Sequence, residues 1–256
     1  MSQNRSHALI TGAGSGIGAV IARSLGGQER NLSLLGRRDN ALEETRQQLT
    51  EPASAAAFTC DVSDSDSVAA AFAAAREAFG DIDILVNCAG AAPTAPFHKL
   101  DASGWRAVMA INLDGVFHCT REVVPAMLER GAGRIINIAS TASLRGYAYV
   151  SAYCAAKHGV LGLTRALALE LATKGVTVNA VCPGYTDTDI IRKAVATLVQ
   201  KTGRSQEQAL AEFTRVNPQG RLIDPQEVAD TVLWLCSDAA RSVTGQAISI
   251  SGGETM

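Results

Sequence analysis

Apolar residues along this chain come in two rhythms. Short runs rich in β-branched and small side chains recur at 7–11 (HALIT), 31–36 (NLSLLG), 55–60 (AAAFTC), 83–87 (DILVN), 134–139 (RIINIA), 176–181 (VTVNAV) and 246–250 (QAISI). Most lack polar alternation, as strands covered on both faces do. Longer stretches with helical spacing lie between them, at 16–27, 39–49, 64–78, 103–130, 152–173 and 225–236. This alternation predicts an α/β fold: a doubly wound parallel sheet of about seven strands with helices on both faces. Ligands of such sheets bind beyond the carboxyl ends of the strands. No repeat, low-complexity tract or linker divides the chain, so 1–256 reads as one domain.

Composition narrows the class. The 256 residues are 47% hydrophobic and 19% charged, a globular balance. A net charge of −2 gives no general reason to bind nucleic acid or an anionic membrane. The six cysteines are scattered, without a CxxC pair or adjacent histidines, so no metal site is expected and a reduced, cytoplasmic setting is the simplest reading. No apolar run has transmembrane length, and no signal peptide is read at the start.

The stretch TGAGSGIG (11–18) follows the first strand and opens the first helix. Gly12, Gly16 and Gly18 let backbone approach a pyrophosphate, and the helix start at Ser15–Ile17 offers free N–H groups to phosphates. The second strand ends in GRR (36–38), where an acid would select the ribose hydroxyl of NAD. Arg37 and Arg38 suit a 2′-phosphate instead, which favours NADP(H) over NAD(H). Asp61 and Val62, after the third strand, are expected near the adenine, with Ser63 or Asp64 capping the next helix. NCAG (87–90) ends the fourth strand, where the small Ala89 and Gly90 leave room for the cofactor beside Asn87.

SAYCAAKHG (151–159) carries Tyr153 and Lys157 four residues apart, on one helix face. A phenol titrates at about 10, and a nearby ammonium lowers that value, which would let the tyrosine exchange a proton with a carbonyl oxygen. Ser140, in NIASTAS at the end of the fifth strand, could hold the same oxygen. Asn112 interrupts an apolar helix, either as a local kink or as the holder of a water linked to Lys157.

At this point the chain resembles the short-chain dehydrogenase/reductase family over about 7–253. The resemblance is carried by TGAGSGIG, NCAG (usually NNAG), Asn112, Ser140, YCAAK and PGYTDT (183–188). It implies a Rossmann-like domain and an Asn112–Ser140–Tyr153–Lys157 tetrad. It also implies hydride transfer between a nicotinamide and a carbonyl or alcohol carbon. In the family Lys157 would also bind the nicotinamide ribose, while Pro183, Gly184, Thr186 and Thr188 would hold the carboxamide end. Helices 103–130 and 152–173 would pair across two-fold axes into a homotetramer.

The segment 189–217 would be the substrate lid, and it is similar to the lids of 3-hydroxybutyrate dehydrogenases and polyketide ketoreductases. The carboxylate-holding positions of the former fall on Ala92, Ala142 and Val150, and apolar side chains cannot bury a carboxylate. A small free hydroxy acid is therefore disfavoured. A bulky ketone, in particular a 3-oxoacyl thioester, is expected. Arg192, Lys193, Lys201, Arg204 and Arg215 on the lid then serve either as phosphate contacts or as a solvated face. Two other readings compete: an NAD-using oxidative alcohol or hydroxyacyl-coenzyme A dehydrogenase, and a cofactor-sensing regulator on the same fold. The intact tetrad argues against the regulator.

Overall fold

A computed structural model describes residues 5–28, 30–49 and 54–256. Its strands are β1 (His7–Thr11), β2 (Asn31–Gly36), β3 (Ser54–Thr59), β4 (Ile84–Asn87), β5 (Gly133–Ile138), β6 (Val176–Pro183) and β7 (Ala247–Ile250). They form one sheet in the order β3-β2-β1-β4-β5-β6-β7, with every neighbouring pair parallel. The chain reverses its direction of travel across the sheet between β1 and β4, which places the ligand crevice there.

The helices are α1 (Gly16–Gly26), α2 (Asp39–Gln47), α3 (Ser65–Phe79), α4 (Ala102–Met109), α5 (Gly115–Arg130), α6 (Ser151–Leu171), α7 (Asp189–Thr202), α8 (Gln206–Thr214) and α9 (Pro225–Leu235). Successive strand residues point to opposite faces, so each strand feeds two cores. Ile10, Leu34, Val86 and Ile136 pack with Ile21 and Leu25 of α1 and Val228 and Val232 of α9. Leu9, Leu35, Leu85 and Ile135 pack on the other face with Phe72 of α3, Val123 and Met127 of α5, and Leu171 of α6.

The expected helix over 103–130 is α4 and α5 joined by a turn of π-helix, Ala110–Asp114. Asn112 sits inside that turn, fully buried. Its Nδ2 donates to the carbonyls of Val108 (2.9 Å) and Ala91 (2.9 Å), and its Oδ1 accepts from the Ala91 N–H at 3.2 Å. Such bulges recur at functional sites because they re-aim a side chain without ending a helix. The lid segment forms α7 and α8, separated at 203–205.

Candidate active site

The carboxyl ends of β1, β2, β4, β5 and β6 open onto one cavity of about 660 Å³, within the range of small-molecule sites. Its first stretch is backbone. Gly12 (φ 69°) and Gly16 (φ 53°) are left-handed, and a Cβ on Gly18 would land on the Gly12 carbonyl oxygen. Ser15 makes no side-chain cap to α1, and no acid occupies the first turn, so the helix N–H groups face the cavity free of competing acceptors. Arg37 and Arg38 line the exposed end, with Asp61 and Val62. The Asp61 carboxylate accepts the Ser63 hydroxyl (2.7 Å) and N–H (3.0 Å); these bonds, and to a lesser degree the Arg37 charge, hold its pKa down. Of the two expected caps, Asp64 caps α3, accepting from the N–H groups of Asp66 and Ser67.

Asn87 departs from expectation. Its side chain is absent from the cavity wall and lies within the fold, donating to Asn137 Oδ1 (2.9 Å) and Thr120 Oγ1 (3.2 Å). Burial at the end of β4 turns it toward the polar residues of β5 and α5 rather than toward a ligand. A residue not singled out from sequence shapes the same loop. The Thr11 hydroxyl accepts the N–H groups of Cys88 (3.0 Å) and Ala89 (3.1 Å), tying the end of β4 to β1. Ala89 and Gly90 line the cavity, and a Cβ on Gly90 would stand 2.9 Å from Asn112 Oδ1.

Tyr153 and Lys157 project from α6 into the cavity beside Ser140. Lys157 Nζ donates to the Ile138 carbonyl at 2.8 Å and lies 5.7 Å from the centre of the Tyr153 ring. Burial pulls the Lys157 pKa down to about 8. The expected lowering of the phenol pKa is not found in the protein alone. Burial pushes Tyr153 up to about 12, opposed by a hydrogen bond with Ser140. The reason is positional: the ammonium is bound to a carbonyl and stands over the ring, while the phenolate would lose its water. At neutral pH the pair is therefore a protonated phenol beside an ammonium. Asn112 lies beneath this group but does not line the cavity; it holds the Ala91 backbone, which does.

Pro183, Gly184, Thr186 and Thr188 form the facing wall, with the Thr186 hydroxyl bonded to the Gly184 carbonyl at 3.0 Å. Thr188 approaches the glycine turn: a Cβ on Gly16 would meet its Cγ2 at 3.3 Å. The cavity thus offers a backbone phosphate cradle, an arginine end and a small-residue floor in one line. These features fit a nicotinamide dinucleotide.

The remaining wall is mostly apolar and aromatic, with Thr94, Thr141 and Asp189 as polar residues on it. Ala92, Ala142 and Val150 line it, as do Tyr147, Tyr185, Ile190, Ile191 and Phe213. Tyr185 stands edge-on to both Tyr147 (6.2 Å) and Phe213 of α8 (5.2 Å), linking the lid to the floor. Three of the five basic lid residues are already paired. Arg192 binds Asp187 (3.1 Å) and Asp189 (3.5 Å), and Arg204 and Arg215 share Glu212 (2.8 and 3.0 Å). Lys193 and Lys201 have no ion pair among the described residues.

The family profile described as enoyl-(acyl carrier protein) reductase matches residues 12–255. The chain is 40% identical to the structure of a single-residue variant of actinorhodin polyketide ketoreductase with NADPH, with a TM-score of 0.94 over 100% of this chain and 99% of that one. It is 34% identical to levodione reductase, with a TM-score of 0.91 over 99% and 98% of the two chains. It is also 39% identical over 252 residues to the D-beta-hydroxybutyrate dehydrogenase of Cupriavidus necator, covering 98% of each. The chain belongs to the short-chain dehydrogenase/reductase family, as a nicotinamide-dependent oxidoreductase acting on ketones or hydroxyl groups.

Proposed function

We propose that the protein is an NADPH-dependent reductase of bulky, uncharged ketones, with 3-oxoacyl thioesters as the substrate class that fits best. Ser140, Tyr153 and Lys157 meet in a cavity whose substrate wall carries Ala92, Ala142 and Val150, and that juxtaposition carries the proposal. The cofactor, when bound, supplies a hydride to the carbonyl carbon. Gly12, Ser15, Gly16, Ile17 and Gly18 would hold its phosphates, and Arg37 and Arg38 its 2′-phosphate. Asp61 and Val62 would meet the adenine. Ala89, Gly90, Pro183, Gly184, Thr186 and Thr188 would hold the nicotinamide end.

The protein's own part is to place and protonate an oxygen. Ser140 donates a hydrogen bond to the substrate oxygen and fixes it beside Tyr153. The phenol, protonated at neutral pH, passes its proton to that oxygen as negative charge develops there. Lys157, bonded to the Ile138 carbonyl and standing over the phenol ring, would hold the nicotinamide ribose and keep the ring in place rather than lower the phenol pKa. Asn112 keeps the floor in place through Ala91. α7 and α8 act as the lid, covering the reacting carbonyl with Ile190, Ile191 and Phe213 and excluding water.

The actinorhodin polyketide ketoreductase supports the ketoreductase direction and the choice of NADPH, and the lid lysines remain available for phosphates outside the cavity. Exposed apolar side chains on α5 and α6, Phe117, Leu128 and Leu169, support assembly as a homotetramer. The test is a panel of acetoacetyl-coenzyme A, free acetoacetate and a neutral cyclic ketone, each with NADPH and NADH. Turnover of the thioester or the neutral ketone well above that of acetoacetate, with NADPH preferred, is expected. Equal use of acetoacetate would refute the apolar-pocket reading.

A further inference from the structure

Glu254 lies in the short tail after β7, where sequence gives no hint of a role. Left-handed Gly252 and Gly253 turn the tail back, and the Glu254 N–H donates to the Ser251 carbonyl at 3.3 Å. The Thr255 hydroxyl joins those of Ser249 and Ser251, fixing the turn to the end of the sheet. The Glu254 side chain is only 1% exposed. One carboxylate oxygen accepts the hydroxyl of Tyr147. The other stands where it would be 3.2 Å from a Cβ on Gly184. Tyr147 and Gly184 both line the substrate cavity, so the carboxylate lies directly behind its wall.

Two cations oppose it: Arg145, its ion-pair partner, and the Lys157 ammonium, which lines the same cavity and is bonded to the Ile138 carbonyl. Arg145 stands 4.0 Å away, is half-exposed, and also lies over the Tyr147 ring at 5.2 Å. The field of the carboxylate reaches into the wall. Tyr147 and Tyr185 both have raised pKa values, first through burial and then through Glu254. Such a charge behind a low-dielectric wall acts on a ligand far more strongly than an exposed one.

We propose that Glu254 is a specificity-determining and positioning residue: bonded behind Tyr147, it makes the substrate cavity reject anionic carbonyl compounds in favour of neutral or cationic ones. This rests on the cavity being the carbonyl site proposed above. It goes beyond the apolar wall, because apolar side chains alone penalise either sign of charge alike. A buried carboxylate makes the rejection asymmetric. It also fixes Tyr147, whose hydroxyl is bonded to Glu254 and, at 2.7 Å, to Thr141, so the ring stays against the substrate in one orientation.

The experiment uses three ketones of one skeleton carrying a carboxylate, a carboxamide or a primary ammonium away from the carbonyl. Initial rates with NADPH give kcat/KM for each. Inhibition constants of the corresponding alcohols, measured against the neutral ketone, give a binding readout. In the unaltered protein the carboxylate should be disfavoured against the ammonium by roughly 10-fold or more, as a unit charge at several ångströms implies. Glu254→Gln keeps an acceptor for Tyr147 and removes the charge, so that asymmetry should collapse, chiefly in KM, while Glu254→Asp should retain it. Equal rejection of both ions by the unaltered protein would overturn the proposal even if Glu254→Gln did not fold. An asymmetry unchanged in Glu254→Gln would also overturn it. Failure of the neutral ketone to turn over at all would instead count against the proposed carbonyl site.

Discussion

Lys157 reaches past Tyr153 rather than to it: its Nζ is 2.8 Å from the Ile138 carbonyl and 5.7 Å from the centre of the phenol ring. The lysine is thereby anchored to β5 and held charged in a place that penalises charge. Its pKa falls from the ordinary 10.5 to about 8 through burial.

That shift sets the sign of a stability change with pH. Between pH 8 and 10.5 the unfolded chain holds the Lys157 proton more tightly than the folded one, so the contribution of this group to stability rises with pH across that window. The full effect is at most about 3 kcal/mol. Lys157→Met should lack the rise. Denaturant unfolding of both proteins at the two ends of the window measures it, and parallel pH dependences would contradict the buried-charge account. Cysteines whose pKa values burial raises, such as Cys60 and Cys236, oppose the trend above pH 9 in both proteins and largely cancel in the difference.

Asn112 makes three bonds in the π-turn, two of them to the Ala91 backbone. Asn112→Ala leaves the Ala91 N–H and carbonyl without these partners and should cost about 1–3 kcal/mol for each group that water cannot reach. Thermal or denaturant unfolding reads this directly. Wild-type stability would mean that the turn holds itself without the side chain.

Cofactor choice is expected to follow Gly36 and Arg37. A Cβ at Gly36 would meet the end of the Leu42 side chain at 3.2 Å, a contact a flexible leucine can relieve. Gly36→Asp with Arg37→Ala adds repulsion for a 2′-phosphate and removes attraction. A charge-assisted bond contributes about 1.5–3 kcal/mol, so the NADPH-to-NADH ratio of kcat/KM should fall by roughly 10- to 150-fold. An unaltered protein that already prefers NADH would contradict the assignment of Arg37.

A homotetramer is the proposed assembly, and exposed apolar side chains are its support. Leu169 of α6 is 83% exposed and Phe117 of α5 is 49% exposed, a poor match to water unless another subunit covers them. Light scattering at micromolar concentration should give a tetramer, and Leu169→Glu with Phe117→Glu should lower the mass. A monomer in the unaltered protein would exclude this assembly.

What could be read along the chain was local. The strands show as unbroken apolar runs because both faces of the sheet are covered. The glycine turn shows because left-handed Gly12 and Gly16 admit no other ordinary residue. Tyr153 and Lys157 show because a helix fixes their spacing. What could not be read depends on partners distant in sequence. Asn87 looks like a ligand-facing residue of β4, but Asn137 and Thr120, more than thirty residues away, turn it inward. The lid arginines look like free charge until Glu212 and Asp187 are seen beside them. The phenol pKa needed the burial of the whole site, which no four-residue spacing carries. Glu254 had no signal beyond two glycines before it.

In the proposed mechanism Tyr153 donates the proton to a carbonyl oxygen. Steady-state NADPH oxidation by the unaltered protein and by Tyr153→Phe, with the neutral ketone or acetoacetyl-coenzyme A, tests it most directly when nucleotide binding is followed in parallel by fluorescence. Phenylalanine keeps the ring against Lys157 and removes the hydroxyl, with its proton and its hydrogen bond to Ser140. Turnover should fall by roughly 10²–10⁴ with nucleotide affinity little changed. Turnover in Tyr153→Phe equal to that of the unaltered protein would rule out Tyr153 as the proton donor.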